Sequence, residues 1–538
     1  MKRITAILLT LALMVGSTAV GQINIPGGSI KPPVPPVKQR PKPKAKAYTR
    51  PKNTAKQQVK YYDVTFTSNA YDGDLYIDGD YVGDANTSQA LKAGSHAVKV
   101  VTDYYNDYST TVNVSSNKSF DLSLTEKTDA ESQYQLGINY YEGRSGFPQD
   151  YTVAAEHFLY AANNGHAKSQ SWIGYCYHHG KGVTQNYTEA AQWYLKAADQ
   201  GDASAQSNLG VLYHTGKGVP QSYTEAVKWY QKAVEQQYAN AQNNLGFCYE
   251  HGLGVTQDYS KAFELYQKAA AQDDATALNN LAQCYKRGHG VEKDLETAFK
   301  LHQLAAILGD AAAQNNLGVC YENGTGVEKD YNMAVYWYQK AADQGDIVAK
   351  YNLGMCYYQG NGLPQSYFEA AKLFWETAEQ GYAFSQYRLG HCFEAGLGAE
   401  QNYSAAVKWY RKAAEQGHAS AQNCLGVCYF AGRGVTQSYT EAIEWFRRAA
   451  KQGNASAQCN LGNCYFDGMG VKKDRKEAVN WYHQAAAKGL AEAQYMLAEC
   501  LLHGYGVKKN KQEAINWYQK AADQSYHEAR VALWKLGY

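Results

Sequence analysis

A chain of 538 residues with 47 tyrosines, 48 glycines and only 11 prolines suits many small similar units better than one large core. Twelve of its 52 lysines and arginines precede residue 61 and none of its 50 acids does, so a basic leader stands before a body carrying 40 bases against 50 acids. That acidic body offers no basic groove for nucleic acid, and beyond the N-terminus no segment is long and apolar enough to span a bilayer.

Residues 1–21 read as a secretory signal peptide. Lys2 and Arg3 precede the apolar run Ile4–Val15, and Gly16, Ser17, Thr18, Ala19 and Gly21 lead to a plausible cleavage point before Gln22. No cysteine follows to carry a lipid. The expectation is an exported bacterial protein: periplasmic, associated with the cell envelope or secreted.

Residues 22–60 hold eight prolines and ten lysines or arginines and no acid, which predicts an extended, disordered tether. Two readings of its charge stand open: contact with an anionic surface such as phospholipid, lipopolysaccharide or cell wall, or a solvated spacer.

Over residues 61–126, short β-branched and aromatic runs broken by Gly, Asp and Asn predict a small sandwich. Five strands are expected, at Val64–Ser68, Asp74–Asp78, Ala97–Thr102, Ser109–Val114 and Ser119–Leu124. The aspartates Asp72, Asp74, Asp78, Asp80 and Asp84 do not have the spacing of a calcium loop, and hairpin turns account for them. The stretch resembles the PEGA domain in Leu75-Tyr76-Ile77-Asp78-Gly79, Tyr81-Val82-Gly83, Leu91 with Gly94, and His96-Ala97-Val98-Lys99-Val100. It departs from that family where Asn69-Ala70-Tyr71-Asp72-Gly73-Asp74 stands in place of Pro-Glu-Gly-Ala.

From residue 131 to 538 a Leu-Gly dipeptide recurs every 36 residues, from Leu209-Gly210 to Leu497-Ala498, with Ile173-Gly174 and Leu136-Gly137 upstream. One extra residue in the Gly143–Gly146 loop makes the first interval 37. Eleven repeats result, and His527–Tyr538 reads as a capping helix. Within Ala311–Asp346, Ala311, Ala313, Leu317, Gly318 and Tyr321 mark a first helix, Gly324 and Gly326 break it, and Ala334, Trp337, Tyr338 and Ala341 mark a second. The fold class expected is mostly α: a solenoid of helix-turn-helix repeats behind a small all-β domain.

The repeats resemble the Sel-1-like repeat, a relative of the tetratricopeptide repeat, in Ala-x-Ala-Gln-x-Asn-Leu-Gly at Ala239–Gly246, Gly-x-Gly-Val at Gly252–Val255 and Ala-Val-Lys-Trp-Tyr-x-Lys-Ala-Ala at Ala406–Ala414. The resemblance implies a right-handed superhelix that binds other proteins and assembles complexes, with no shared catalytic residues. One branch of that family bridges its two helices with disulfides, but the second helices here carry no cysteine. Instead Cys248 through Cys500, with Cys176, occupy a single repeat position; equivalent helices lie too far apart for bridges, so buried small hydrophobes are expected. Cys424 and Cys459 lie outside that ladder, and a bridge from either is left open. Cys176, His178 and His179 do not share a helical face, so no metal is expected there, and no cofactor or enzymatic centre is expected anywhere.

Two sets of candidate ligand-binding residues follow from the resemblance, whose first helices line a concave face. Asn208, Asn244, Asn280, Asn316, Asn352 and Asn460 form an amide ladder that would either hold an extended peptide or bond between repeats. Val348, Tyr351, Met355, Phe384, Tyr387, Arg388 and His391 replace small or amide residues in the seventh and eighth repeats, giving aromatic anchors around one arginine, or else ordinary surface drift. The function expected is a protein-protein interaction scaffold, with envelope contact through the tether or β domain. The competing reading is a carbohydrate or peptidoglycan binder, although Trp193, Trp229, Trp337, Trp409, Trp445, Trp481 and Trp517 fall in the second-helix stripe and are expected to be buried between units.

Overall fold

The computed structural model describes residue 32, residues 42–48 and residues 60–538. The signal-like residues 1–21 and most of the 22–60 tether lie outside the described residues. Two compact units divide the chain, one ending at Asp294 and the other running Leu295–Tyr538.

In the first unit, alternation of apolar and polar residues builds two sheets face to face. β1 (Tyr61–Ser68) sits between β4 (Thr87–Lys92), antiparallel, and β7 (Lys118–Leu122), parallel with Val64 beside Lys118. The other sheet runs β3 (Asp80–Asp84), β2 (Asp74–Ile77), β5 (Gly94–Val101), β6 (Tyr108–Val114), all antiparallel. Val64, Phe66, Leu75, Ile77, Leu91, Val98, Val100 and Val112 fill the space between them. There are seven strands rather than the five expected. β3 and β4 were hidden because Asp80, Gly83, Asp84, Asn86 and Ser88 read as turn residues, while their inward positions Val82 and Leu91 are too few to show a period.

Described helices run from α1 (Ala130–Glu142) to α23 (His527–Lys535), two per repeat and a terminal cap. Each repeat carries its own start and stop signals. In α11 (Ala311–Asn323), the Asp310 carboxylate accepts from the Ala313 N–H at 2.7 Å and Gly324 closes the helix in the left-handed region at φ 70°. Asp330 likewise caps α12 (Tyr331–Asp343). Such a cap stabilises a helix by about 1 kcal/mol, and its recurrence accounts for the uniform 13-residue length of nearly every helix.

The Leu-Gly signature has a packing cause. A Cβ built on Gly318 would lie 2.6 Å from the Tyr338 ring of the second helix, so only glycine lets that buried ring reach the first-helix backbone.

The extra residue of the first repeat also has a role. Its loop turns through Gly143, Ser145 and Gly146, all at positive φ, and delivers Phe147 into the β-domain core. There the ring meets Tyr71 at 4.8 Å, Tyr140 at 5.1 Å and Tyr104 at 6.0 Å between centroids, cementing sandwich to solenoid.

Candidate interaction site on the first helices

Adjacent repeats are joined by side-chain amides. Asn280 donates to Asn243 at 2.9 Å, Asn352 to Asn315 at 2.9 Å and Asn460 to Asn423 at 3.0 Å. Asn208, Asn244 and Asn316 are buried like the other three. The asparagine ladder therefore sits inside the stack, with Asn280, Asn352 and Asn460 bonded across repeat boundaries.

A glutamine staple, which sequence reasoning passed over, runs beside it. Gln314 donates to the Ala306 carbonyl at 3.1 Å and accepts from Gln344 at 2.8 Å. Gln200 to Gln170, Gln236 to Gln206, Gln416 to Gln386 and Gln524 to Gln494 repeat the pattern. Its signal was present, since Ala-Gln on the first helix and Gln at the end of the second recur with the same period. A third bond ties the two helices of one repeat: Tyr266, Tyr338 and Tyr410 donate their hydroxyls to Glu250, Glu322 and Glu394 at 2.9, 2.6 and 2.6 Å.

Repeat seven departs from the glutamine and tyrosine–glutamate bonds, and its boundary with repeat eight from the asparagine ladder. On α13 (Ile347–Gln359), Lys350 takes the glutamine position and pairs with Glu376 at 3.4 Å. Tyr358 stands at the position of Glu322 and Glu394, and on α14 (Tyr367–Glu379) Phe374 stands at that of Tyr338 and Tyr410. On α15 (Ala383–Ala395), Arg388 replaces the ladder asparagine and interacts with Tyr351, the residue at the acceptor position of the previous repeat. Its guanidinium carbon lies 5.6 Å from the Tyr387 ring centroid and 5.9 Å from that of Tyr358. Burial works against its charge and the surrounding tyrosines favour it. The Arg388 Nε has no hydrogen-bond acceptor, and among the described residues no carboxylate pairs with it.

The expected site residues are thus brought together, at two depths. Val348 and Tyr351 are buried, with Tyr351 against Phe374, Tyr382 and Phe384. Met355, Phe384, Tyr387, Arg388 and His391 are half-buried. Two further members were missed: Tyr358, whose hydroxyl lies 3.5 Å from His391 Nδ1, and His418, which stacks on Tyr387 at 4.8 Å. Both fell at repeat positions read as scaffold. Burial, with Arg388 beside them, depresses both imidazoles, His418 to about 4, so both are neutral at pH 7.

Other side chains singled out in the sequence have structural partners. All eleven cysteines are buried thiols outside any disulfide, and burial pushes ladder thiols such as Cys248 and Cys392 up to about 12. Trp193, Trp409 and Trp445 are buried and Trp229, Trp337, Trp481 and Trp517 half-buried. A cation three residues on covers the ring face of several: Lys196 over Trp193 at 3.9 Å, Lys412 over Trp409 at 4.1 Å, Arg448 over Trp445 at 4.4 Å. In the β domain Asp78 accepts from His96 and from the Ala97 N–H. The described part of the tether, Lys42–Tyr48, lies along β3: Lys46 N–H donates to the Tyr81 carbonyl, Lys42 bridges Asp84 and buried Asp74, and Lys46 pairs with Asp80. No described helix is long and apolar enough to cross a membrane.

A capped stack of helical hairpins defines a repeat scaffold. The chain belongs to the Sel1 repeat family: eleven consecutive matches cover residues 130–526, and a PEGA domain match covers residues 61–129. Proteins of this family are generally non-enzymatic scaffolds that mediate protein interactions, and PEGA domains and Sel1 repeats are common in periplasmic or secreted bacterial proteins. Among solved structures, the chain is similar to c5321, a protective antigen of uropathogenic Escherichia coli displaying an SLR fold, at 37% identity over 75% of this chain and 86% of that one with a TM-score of 0.56. It is also similar to a Sel1 repeat protein from Oxalobacter formigenes, at 32% identity over 57% and 89% of the two chains with a TM-score of 0.43. A search of curated proteins gave no match.

Proposed function

We propose that this chain is an exported, non-enzymatic scaffold whose protein partner seats on the concave, first-helix side of repeats seven and eight. The observation that carries the reading is the clustering of Tyr351, Met355, Tyr358, Phe384, Tyr387, Arg388 and His391 on two neighbouring first helices, with Arg388 against Tyr351, Tyr358 and Tyr387. Aromatic residues and arginine are the types that dominate interface energetics. The asparagine ladder serves to register neighbouring repeats. The basic leader and the similarity to a protein described as a protective antigen are in keeping with export and with a position at the cell envelope, where lysines beyond Lys42 and Lys46 remain for an anionic surface.

A carbohydrate partner would need open ring faces, and the ladder tryptophans pack between repeats or lie under cations. Iodide should quench little of the tryptophan emission, with the accessible fraction coming mainly from Trp375 and Trp534. The deciding experiment is crosslinking of tagged mature protein in intact envelopes, with mass spectrometry, beside a Tyr387→Ala, Arg388→Ala double variant. Capture of a defined protein that the variant loses supports the scaffold; recovery of wall polymer alone, unchanged in the variant, replaces it with the carbohydrate reading.

A further inference from the structure

Resting on the scaffold reading, we infer that the Arg388 pocket recognises a carboxylate presented by the partner protein, an acidic side chain or a C-terminus. Guanidinium offers five donors in a planar fork, and half-burying it without an anion is unfavourable unless something supplies one on binding. Arg388 interacts with Tyr351, Tyr358 and Tyr387, and its Nε has no acceptor among the described residues.

Other repeats show what an anion does at this place. Repeats four, six and eight have Glu250, Glu322 and Glu394 at the position that Tyr358 holds in repeat seven. In repeat four that glutamate lies near bases of the next repeat, with Arg287 at 3.7 Å and His289 at 3.6 Å. Repeat seven has Tyr358 and Phe374 in place of such a glutamate and its tyrosine donor, while repeat eight sets Arg388 beside Tyr358. His391 and His418 are neutral and add no competing charge. An arriving carboxylate would meet a guanidinium flanked by the Tyr358 and Tyr387 rings, in a body that is otherwise acidic.

The test pans full-length mature protein against a randomised peptide library and resynthesises the enriched peptides with each carboxylate replaced by its amide in turn, the C-terminus included. Affinity is read by fluorescence anisotropy for wild type, Arg388→Met and Arg388→Lys, with circular dichroism and thermal midpoint as folding controls. The expected result is that removing one particular carboxylate weakens binding at least about tenfold, a difference of about 1.4 kcal/mol, that Arg388→Met abolishes this preference, and that Arg388→Lys keeps part of it. Which amide substitution matters separates an acidic side chain from a terminal carboxylate. Peptides that bind equally well without any carboxylate, a preference retained by folded Arg388→Met, a preference for phosphate over carboxylate, or no enrichment at all would each overturn the inference. A crosslinked partner lost by Tyr387→Ala but kept by Arg388→Met leaves the scaffold standing and removes the carboxylate; a partner absent throughout removes both.

Discussion

Arg388 meets Tyr351 across a repeat boundary at the place where, one repeat earlier, Asn352 donates to Asn315 at 2.9 Å. A neutral amide rung has become a cation against a phenol, and its field reaches the neighbouring imidazoles. His418 accepts from the Ala421 N–H through Nδ1 at 3.2 Å, which requires an unprotonated nitrogen. Burial is the larger cause of its depression to about 4 and Arg388 the second. Arg388→Met should therefore raise the His418 and His391 pKa values part of the way toward the ordinary imidazole range, as followed by ring-proton NMR titration. Unmoved values would mean that the guanidinium charge is screened from the pocket, and the carboxylate reading would lose its electrostatic basis.

The glutamine staple makes a prediction about stability rather than binding. Gln314→Leu keeps the volume but removes two hydrogen bonds, leaving the Ala306 carbonyl with the Gly309 N–H and the Gln344 amide with the Gly309 carbonyl. Each such bond contributes about 1 kcal/mol net, so the variant should unfold in urea with a stability lower by about 2 kcal/mol. A neutral result would show that water replaces the staple.

How legible was this molecule? The 36-residue period was legible because each copy repeats the same caps, the same Leu-Gly contact and the same second-helix ring, so eleven weak signals add in register. The two missed strands lack that redundancy: Val82 and Leu91 each supply one buried position among turn-like neighbours. The same logic explains the candidate site. Tyr351 and Arg388 stood out because they broke a period, whereas Asn280 and Asn352 obeyed it, and an obeyed period does not say whether a side chain faces a ligand or the next repeat. Tyr358 and His418 escaped notice for a further reason, since their part in the pocket depends on which side chains two neighbouring repeats bring alongside them.

Phe147 ties the first repeat to the sandwich. It is buried at 3% exposure among Tyr71, Tyr104 and Tyr140. Truncating a buried phenylalanine costs about 3–5 kcal/mol. Phe147→Ala should thus destabilise the β domain by about 3 kcal/mol and weaken the near-ultraviolet circular dichroism of that tyrosine cluster, while the remote repeats keep their helical signal. A change below about 1 kcal/mol would mean that the sandwich stands without this contact.

Glu492 gives the solenoid a pH dependence of definite sign. The residue opens α21 (Ala491–His503), and burial first, then the charge of Glu528, pushes its carboxyl up to about 7, with Asn463 and Cys459 partly offsetting the shift. In the unfolded chain it titrates near 4.5. Below that pH both states hold the proton and the group costs nothing. Between 4.5 and 7 the unfolded chain loses its proton while the folded chain keeps it, so stability falls as pH rises; above the folded value the loss levels off. At about 1.4 kcal/mol per unit, the total is about 3 kcal/mol. Glu492→Gln should flatten this part of the curve, leaving the variant similar to wild type at pH 4.5 and more stable at pH 8 by urea denaturation. Equal stabilities of the two proteins at both pH values would show that the carboxyl is solvated in solution, and that the buried setting between α21 and Cys459 opens to water.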